Sequence, residues 1–222
     1  MEETTSTQID LVNSFKPGRV IAAEFQSSGR GRLDRKFEVP PRKGLMFSFA
    51  IEAEKDFGWI PLITGLAVAR AINQYLDSEI VEIKWPNDLL IEDRKLAGIL
   101  SEKVENGVVV GVGINIFQTQ EELPITNAIS LSMKAKVDRS ELLTMILNEL
   151  GRTFQSFSQN IDQSFEKEKN AYREFCVTIG RQVEVTLPNG EILQDMAIGI
   201  SDDGSLLLKS REISVGDIVH LR

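Results

Sequence analysis

The sequence predicts an α+β fold. A mostly antiparallel sheet with packed helices occupies residues 1–176, and a small β-barrel of the SH3 type follows over 177–222. Three observations carry this. Apolar runs of strand length and long segments of helical periodicity share the chain up to about residue 176. Short turns at Asp93–Arg94 and Asn106–Gly107 join consecutive strands, so neighbours run antiparallel. From Gly180 onward only short strands separated by turn residues remain, the pattern of a small barrel.

In chain order, Ser6 or Thr7 can cap a short helix over 6–15, with Ile9, Leu11, Val12 and Phe15 as its apolar content. Residues 19–25 read as a buried strand. Gly29, Gly31, Pro40 and Pro41 then break regular structure, and 44–51 is a second strand. Over 59–76, Leu62, Ile63, Leu66, Ala69 and Ile72 recur at helical spacing. Residues 81–84 form a short strand that ends at Trp85–Pro86, 88–92 and 95–103 a hairpin, and 108–116 the next strand. Residues 117–137 are irregular. A long helix over 140–157, capped by Ser140, presents Leu143, Ile146, Leu147, Leu150, Phe154 and Phe157, and a third helix covers 161–175. The terminal strands fall at 182–187, 191–200, 205–209 and 218–221, with turns at Asn189–Gly190 and Asp202–Gly204.

Composition excludes several classes of function. The 222 residues are 42% hydrophobic and 26% charged, a globular balance with no apolar run long enough to span a bilayer. One cysteine, Cys176, and one histidine, His220, leave little scope for a thiolate or zinc centre or for a Ser–His triad. The acidic, polar start lacks a secretory pattern, so a cytoplasmic protein is expected. Net charge is −8, yet residues 29–43 hold six basic and two acidic side chains. This local +4 leaves −12 for the rest. Such a segment suits a local anion site rather than a nucleic-acid surface, and neither nucleic acid nor membrane is an expected partner. On charge alone it is equally a solvated loop.

Three segments combine residues that a plain scaffold does not need together. In residues 26–35, Gly29 and Gly31 allow close backbone approach, and Arg30, Arg32 and Arg35 supply planar cationic forks suited to phosphate. Lys84-Trp-Pro-Asn-Asp88 stops its own hydrogen-bond ladder and leaves a carboxylate, an amide and an indole near a hairpin that brings Lys95 alongside. In Gly111-Val-Gly-Ile-Asn115, glycines inside an apolar strand suggest close approach by a backbone or a ligand. Each has a structural alternative: surface arginine pairs, a tight turn with a solvated lysine, and a core strand with small residues.

Taken together and in this order, the segments resemble the catalytic domain of biotin protein ligases. The likeness runs from Ser6-Thr7 through Gln26, Gly-Arg-Gly-Arg at 29–32, Lys-Trp-Pro-Asn-Asp at 84–88 and Arg-Lys-Leu-Ala-Gly-Ile-Leu at 94–100 to Gly-Val-Gly-Ile-Asn at 111–115. The end of the chain, with Gly216-Asp217, is similar to the family's C-terminal domain. The resemblance implies a fold like that of class II aminoacyl-tRNA synthetases and biotin ligases. It implies ATP-dependent activation of biotin to biotinyl-5′-AMP, with Mg²⁺ accompanying ATP. The acyl group then passes to a lysine on the biotin carboxyl carrier domain of a biotin-dependent carboxylase.

By the same resemblance, Ser6, Thr7, Gln26, Gly29, Arg30, Arg32 and Lys95 bind biotin, and Arg30, Arg32, Arg35, Lys95 and Asn115 bind the nucleotide. Lys95, Arg32 and Asp88 act in catalysis: Lys95 bridges the biotin carboxylate and the α-phosphate, and Asp88 orients the incoming lysine or, with Asn115, stands near the metal. Lys84 and Trp85 are implied to line the pocket. The pattern departs from the family at Gln8, where an asparagine is usual, and over Leu33-Asp34-Arg35-Lys36-Phe37, where the loop usually continues Arg-Gly-Arg-x-Trp. No DNA-binding helix-turn-helix is expected, and exposed edge strands offer a route to a homodimer. The alternatives are a lipoate- or octanoate-type acyl-adenylating ligase, and a non-catalytic module that binds biotin or a carrier.

Overall fold

The computed structural model describes residues 1–32, 35–158 and 162–221. Its central element is a six-stranded antiparallel sheet in the order β2-β4-β8-β7-β6-β5. The strands are β2 (Val20–Ala23), β4 (Gly44–Glu52), β5 (Glu82–Lys84), β6 (Asp88–Ile91), β7 (Arg94–Val104) and β8 (Gly107–Asn115). A two-stranded parallel pair, β1 (Glu3–Thr4) and β3 (Phe25–Gln26), lies beside it. One face of the sheet is covered by α2 (Trp59–Leu76) and α3 (Arg139–Ser158), with α4 (Asp162–Phe175) packed on both helices.

α2 has the range read from its periodicity, and it is apolar nearly all round because sheet and helices enclose it. At its C-terminal end the Asn73 amide accepts from the backbone N–H of Ile80 and Val81 and donates to the Val81 carbonyl, which fixes the approach to β5. α3 begins at Arg139. Its cap is Asp138, whose carboxylate accepts from the N–H groups of Ser140 and Glu141. The expected Ser140 cap is therefore displaced by a stronger anionic acceptor. Ile161, the expected start of α4, lies outside the described residues.

The opposite face of the sheet is covered only at one end. α1 (Thr7–Asn13) buries Leu11 there against Ile21, Ala50 and Val109. The remainder of that face is the floor of a cavity.

The C-terminal unit is an antiparallel sheet in the order β12-β11-β10-β9-β13, made of β9 (Gln182–Thr186), β10 (Ile192–Ile200), β11 (Leu206–Leu208), β12 (Glu212–Ile213) and β13 (Asp217–His220). Its pairing does not close on itself among the described residues, so the expected barrel is seen as an open five-stranded sheet. β12 was not readable from the sequence, because two residues carry no periodicity. Two tryptophans fasten this unit to the first. The Trp59 indole donates to the Asp202 carbonyl at 2.8 Å and the Trp85 indole to the Gly204 carbonyl at 3.0 Å. The Lys169 ammonium, only 8% exposed, is paired with Asp56 and Glu166 beside the Trp59 ring. Among the described residues no helix is long and apolar enough to cross a membrane.

His220 belongs to the same junction. Arg181 can only donate, so Nδ1 of the ring accepts at 3.3 Å and Nε2–H donates to Thr178 Oγ1 at 3.1 Å. Burial, then the Lys84 and Arg181 cations, lower its pKa from 6.5 to about 4.

A Cβ added at Gly58 would stand 2.1 Å from the Asp203 carbonyl, whereas one at Gly151, inside α3, meets nothing within 4 Å. Gly58→Ala should therefore lower unfolding stability by roughly 1–3 kcal/mol, and Gly151→Ala should raise it by about 0.5–1 kcal/mol, both read from urea midpoints. For His220, the unfolded chain binds a proton between pH 6.5 and about 4 that the folded chain refuses. The stability tied to neutral His220 is thus complete above pH 6.5 and is lost as pH falls toward 4. The ring is only partly enclosed, so wild type should lose roughly 1–2 kcal/mol more than His220→Gln across that window in parallel urea titrations.

Candidate functional site

The cavity lies on the uncovered face of the central sheet and has a volume of about 230 Å³. Its floor depends on where the sheet lacks side chains. In register, Asp88 pairs with Gly98, Gly98 with Gly113, and Gly113 with Met46. One step along, Leu100 pairs with Gly111 and Gly111 with Ser48. A Cβ at Gly113 would meet the Phe37 ring at 2.4 Å, and one at Gly111 would meet Gln8 Oε1 at 2.6 Å. The strand glycines thus admit side chains from α1 and from the arginine loop onto the sheet. The Lys95 side chain runs across the third glycine, with Nζ 3.6 Å from an ideal Cβ on Gly98.

One end of the cavity is neutral and polar. Gln26 Oε1 accepts from the Thr7 N–H at 2.8 Å and from its hydroxyl at 3.0 Å, and Thr7 Oγ1 lies 2.8 Å from Ser48 Oγ. Gln8, which stands where the resemblance leads one to expect asparagine, turns down into the sheet. Its amide donates to the Val109 carbonyl at 3.0 Å and its Oε1 accepts from Ser48 at 3.3 Å. Ser6 is 1% exposed and lines the cavity, and its hydroxyl has no hydrogen-bond partner in the protein. A buried orphan hydroxyl costs free energy unless a ligand completes it.

The other end is cationic. The Lys95 backbone is gripped on both sides: its N–H donates to the Asn127 carbonyl, and its carbonyl accepts from Ile129. Its Nζ is 2.6 Å from Asp88 Oδ1, but the contact is poorly aligned, so the buried oxygen receives no hydrogen bond of good geometry.

The arginine loop folds as a small hairpin. Phe37 N–H donates to the Gly29 carbonyl, Gly31 N–H to the Arg35 carbonyl, and a Cβ at Gly29 would meet the Phe37 carbonyl at 2.3 Å. Leu33 and Asp34 lie outside the described residues. Arg32 donates to Asn87 Oδ1 at 3.1 Å and lies 3.5 Å from the Gly216 carbonyl. Burial lowers its pKa from the usual arginine value, and the Asp217 and Asp88 carboxylates oppose that. Arg35 pairs with Asp217, and Arg30 with Glu102 at 3.1 Å.

The structure therefore brings Ser6, Thr7, Gln26, Arg30, Arg32, Arg35, Asp88, Lys95 and Asn115 to one cavity wall. Gly29 is off that wall and shapes the loop instead. Lys84 and Trp85, expected to line the pocket, do not. Trp85 is 1% exposed, with its indole turned to Gly204, and Lys84 faces Asp88 from the sheet edge. Asn115 lines the wall, but its amide oxygen accepts from Gln118 at 2.9 Å.

The sequence carried no motif for several other wall residues. Ser48 sits in an apolar run that reads as core. Phe37 sits in a charged loop. Pro124, Ile125 and Ala128 belong to the stretch that reads as irregular, and Asp217 comes from the second unit. Only the bridge between Lys95 and Ala128 reveals that stretch as wall. Among the described residues no group of three His, Cys, Asp or Glu side chains could hold a metal ion. With Asp88 facing Lys95 and Asn115 joined to Gln118, the described residues offer no preformed cation cage.

Comparison with known proteins agrees with this geometry. Residues 2–117 match the biotin/lipoate A/B protein ligase family, and residues 178–221 match the biotin protein ligase C terminal domain. The biotin--[acetyl-CoA-carboxylase] ligase of Mycobacterium tuberculosis is 34% identical over 99% of this chain and 87% of its own length. The bifunctional ligase/repressor BirA of Escherichia coli is 29% identical over 94% of this chain and 67% of its own. The structure of biotin protein ligase from Aquifex aeolicus in complex with biotin and ATP superposes with a TM-score of 0.84 at 28% identity, covering 100% of this chain and 97% of that one. With more than half its length matched by one family and that likeness carried by both fold and cavity, the chain belongs to the biotin/lipoate A/B protein ligase family.

Proposed function

We propose that this chain is a biotin protein ligase that joins biotin and ATP as biotinyl-5′-AMP and then transfers the biotinyl group to a lysine of a biotin carboxyl carrier domain. The observation that carries the reading is a cavity with two unlike ends. At one end, an orphan serine hydroxyl and the Thr7–Gln26–Ser48 network suit the donors and acceptor of a cyclic urea. At the other, lysine and arginine groups suit a carboxylate and phosphates.

In the first half-reaction a biotin carboxylate oxygen bonds to the α-phosphorus, and the bond from that phosphorus to the β-phosphate oxygen breaks, releasing pyrophosphate. The two anions repel each other. Lys95 between them, with Arg32 and Arg35 at the loop, supplies positive charge already in position, which stabilises the developing transition state. ATP enters as its Mg²⁺ complex, and the described residues contribute no metal cage of their own. In the second half-reaction Asp88, at the same wall, receives the acceptor lysine. The Phe37 ring on Gly113 and the hairpin over it keep water from the mixed anhydride.

Residues 1–176 act as the catalytic unit in this reading, and 177–222 as an SH3-like unit whose Gly216–Asp217 turn steadies Arg32 and Arg35. The bulge between Ala197 and Gly199, which lets β10 pair with both β9 and β11, supports that description of the second unit.

Incubation with biotin, Mg-ATP and a carrier domain should raise the carrier mass by one biotinyl group. Lys95→Ala should lower pyrophosphate release by about 10²–10³-fold while melting like wild type. An unmodified carrier with no pyrophosphate formed, or modification that needs lipoate instead of biotin, would contradict the reading.

A further inference from the structure

Lys84 is a cation that the two half-reactions above leave without a task. It stands on β5 directly opposite Asp88 on β6, across the Trp85–Pro86–Asn87 connection. Directly opposed residues on one face of an antiparallel pair hold their side chains about 5 Å apart at Cβ. The charged groups around it are otherwise matched. Asp88 is with Lys95 at 2.6 Å, Asp93 of the β6–β7 turn with Arg181 at 3.1 Å, and Asp217 of β13 with Arg35. His220, also on β13, is neutral near pH 7. Among the described residues the Lys84 side chain alone in this group has no ion pair or hydrogen bond. Burial, followed by the nearby Lys95 charge, lowers its proton affinity against the pull of Asp88, Asp217 and Asp93.

We propose that Lys84 is a positioning residue for the transfer half-reaction, whose ammonium, set across the hairpin from Asp88, favours the uncharged, nucleophilic form of the incoming carrier lysine. This rests on the ligase reading above. The carrier lysine arrives as an ammonium and must lose a proton before it can attack. That proton passes to the Asp88 carboxylate and on to water. The nitrogen lone pair then bonds to the acyl carbon, and the carbon–oxygen bond to phosphate breaks with its electron pair leaving on AMP. While Lys95 attends the acyl phosphate, Lys84 still faces Asp88, and its charge disfavours a second ammonium there. With two ammonium groups, Lys84 and Lys95, beside the single Asp88 carboxylate, positive charge is left over to act on the arriving amine.

The test compares wild type, Lys84→Met and Lys84→Arg in single-turnover transfer from preformed biotinyl-5′-AMP to a carrier domain, over roughly pH 6 to 9. Pyrophosphate release is measured separately across the same range. Lys84→Met should transfer about tenfold more slowly near neutral pH and recover about one pH unit higher. Lys84→Arg should keep the wild-type profile, because it keeps the charge. Pyrophosphate release should keep its own pH profile in all three. An unshifted transfer profile in Lys84→Met, or an equal fall in both half-reactions, overturns the inference and leaves the ligase reading standing. A wild type that forms no biotinyl-5′-AMP overturns both.

Discussion

The site depends on places where the sheet gives up its side chains. Gly98, Gly111 and Gly113 lie on β7 and β8, in the middle of a sheet whose other face is closed by α2 and α3. Glycine weakens a strand, because it has more backbone freedom to lose and nothing to pack. Here the loss is offset by apolar neighbours such as Val110, Val112 and Ile114, which are buried against the helices. The bare positions let Phe37 and Gln8 rest on the backbone itself, so the cavity sits deep against the sheet without breaking its ladder.

The second constraint is charge. Three arginines and two lysines, Lys36 and Lys95, line the cavity, and in the protein each has an oxygen partner: Glu102, Asn87 with Gly216, Asp217, Glu38 and Asp88. Such pairs are individually weak where exposed. At the exposed Arg30 and Arg35 a polyanionic ligand can therefore exchange with these partners at little loss, while the cations remain near the geometry it needs. Two of the partners belong to the C-terminal unit, and the Trp59 and Trp85 indoles hold that unit in place. Docking of the two units and placement of the arginines are in this sense one problem.

Much of this was legible in the sequence where a local rule operates. α2 follows from a helical period, β8 from an apolar run, and the convergence of Lys95 and Asp88 from a hairpin. The hairpin turn sits at Glu92–Asp93, one residue before the expected Asp93–Arg94, because Glu92 and Asp93 take positive φ in the absence of glycine. What escaped depends on distant partners. The wall formed by Pro124, Ile125 and Ala128 is set by pairing with Lys95 and by Gln118, whose side chain accepts from Ile116 N–H and donates to Asn115. Ser48 is a contact residue only because α1 crosses its strand, and Asp217 only because a second unit folds back over the loop. The arginine motif announced a ligand, but not that Arg32 would be carried by a contact 184 residues away.

The central claim is that one cavity holds a neutral ring system at its Ser6–Thr7–Gln26 end and a carboxylate joined to phosphate at its Lys95 end. A crystal structure of the protein with biotin and ATP tests it most directly. The account predicts the ureido group hydrogen-bonded to the Ser6 hydroxyl and the Gln26 amide, with Lys95 Nζ between the carboxyl carbon and the α-phosphorus. A ligand bound in the reverse sense, or outside this cavity with Ser6 still unpartnered, would contradict it.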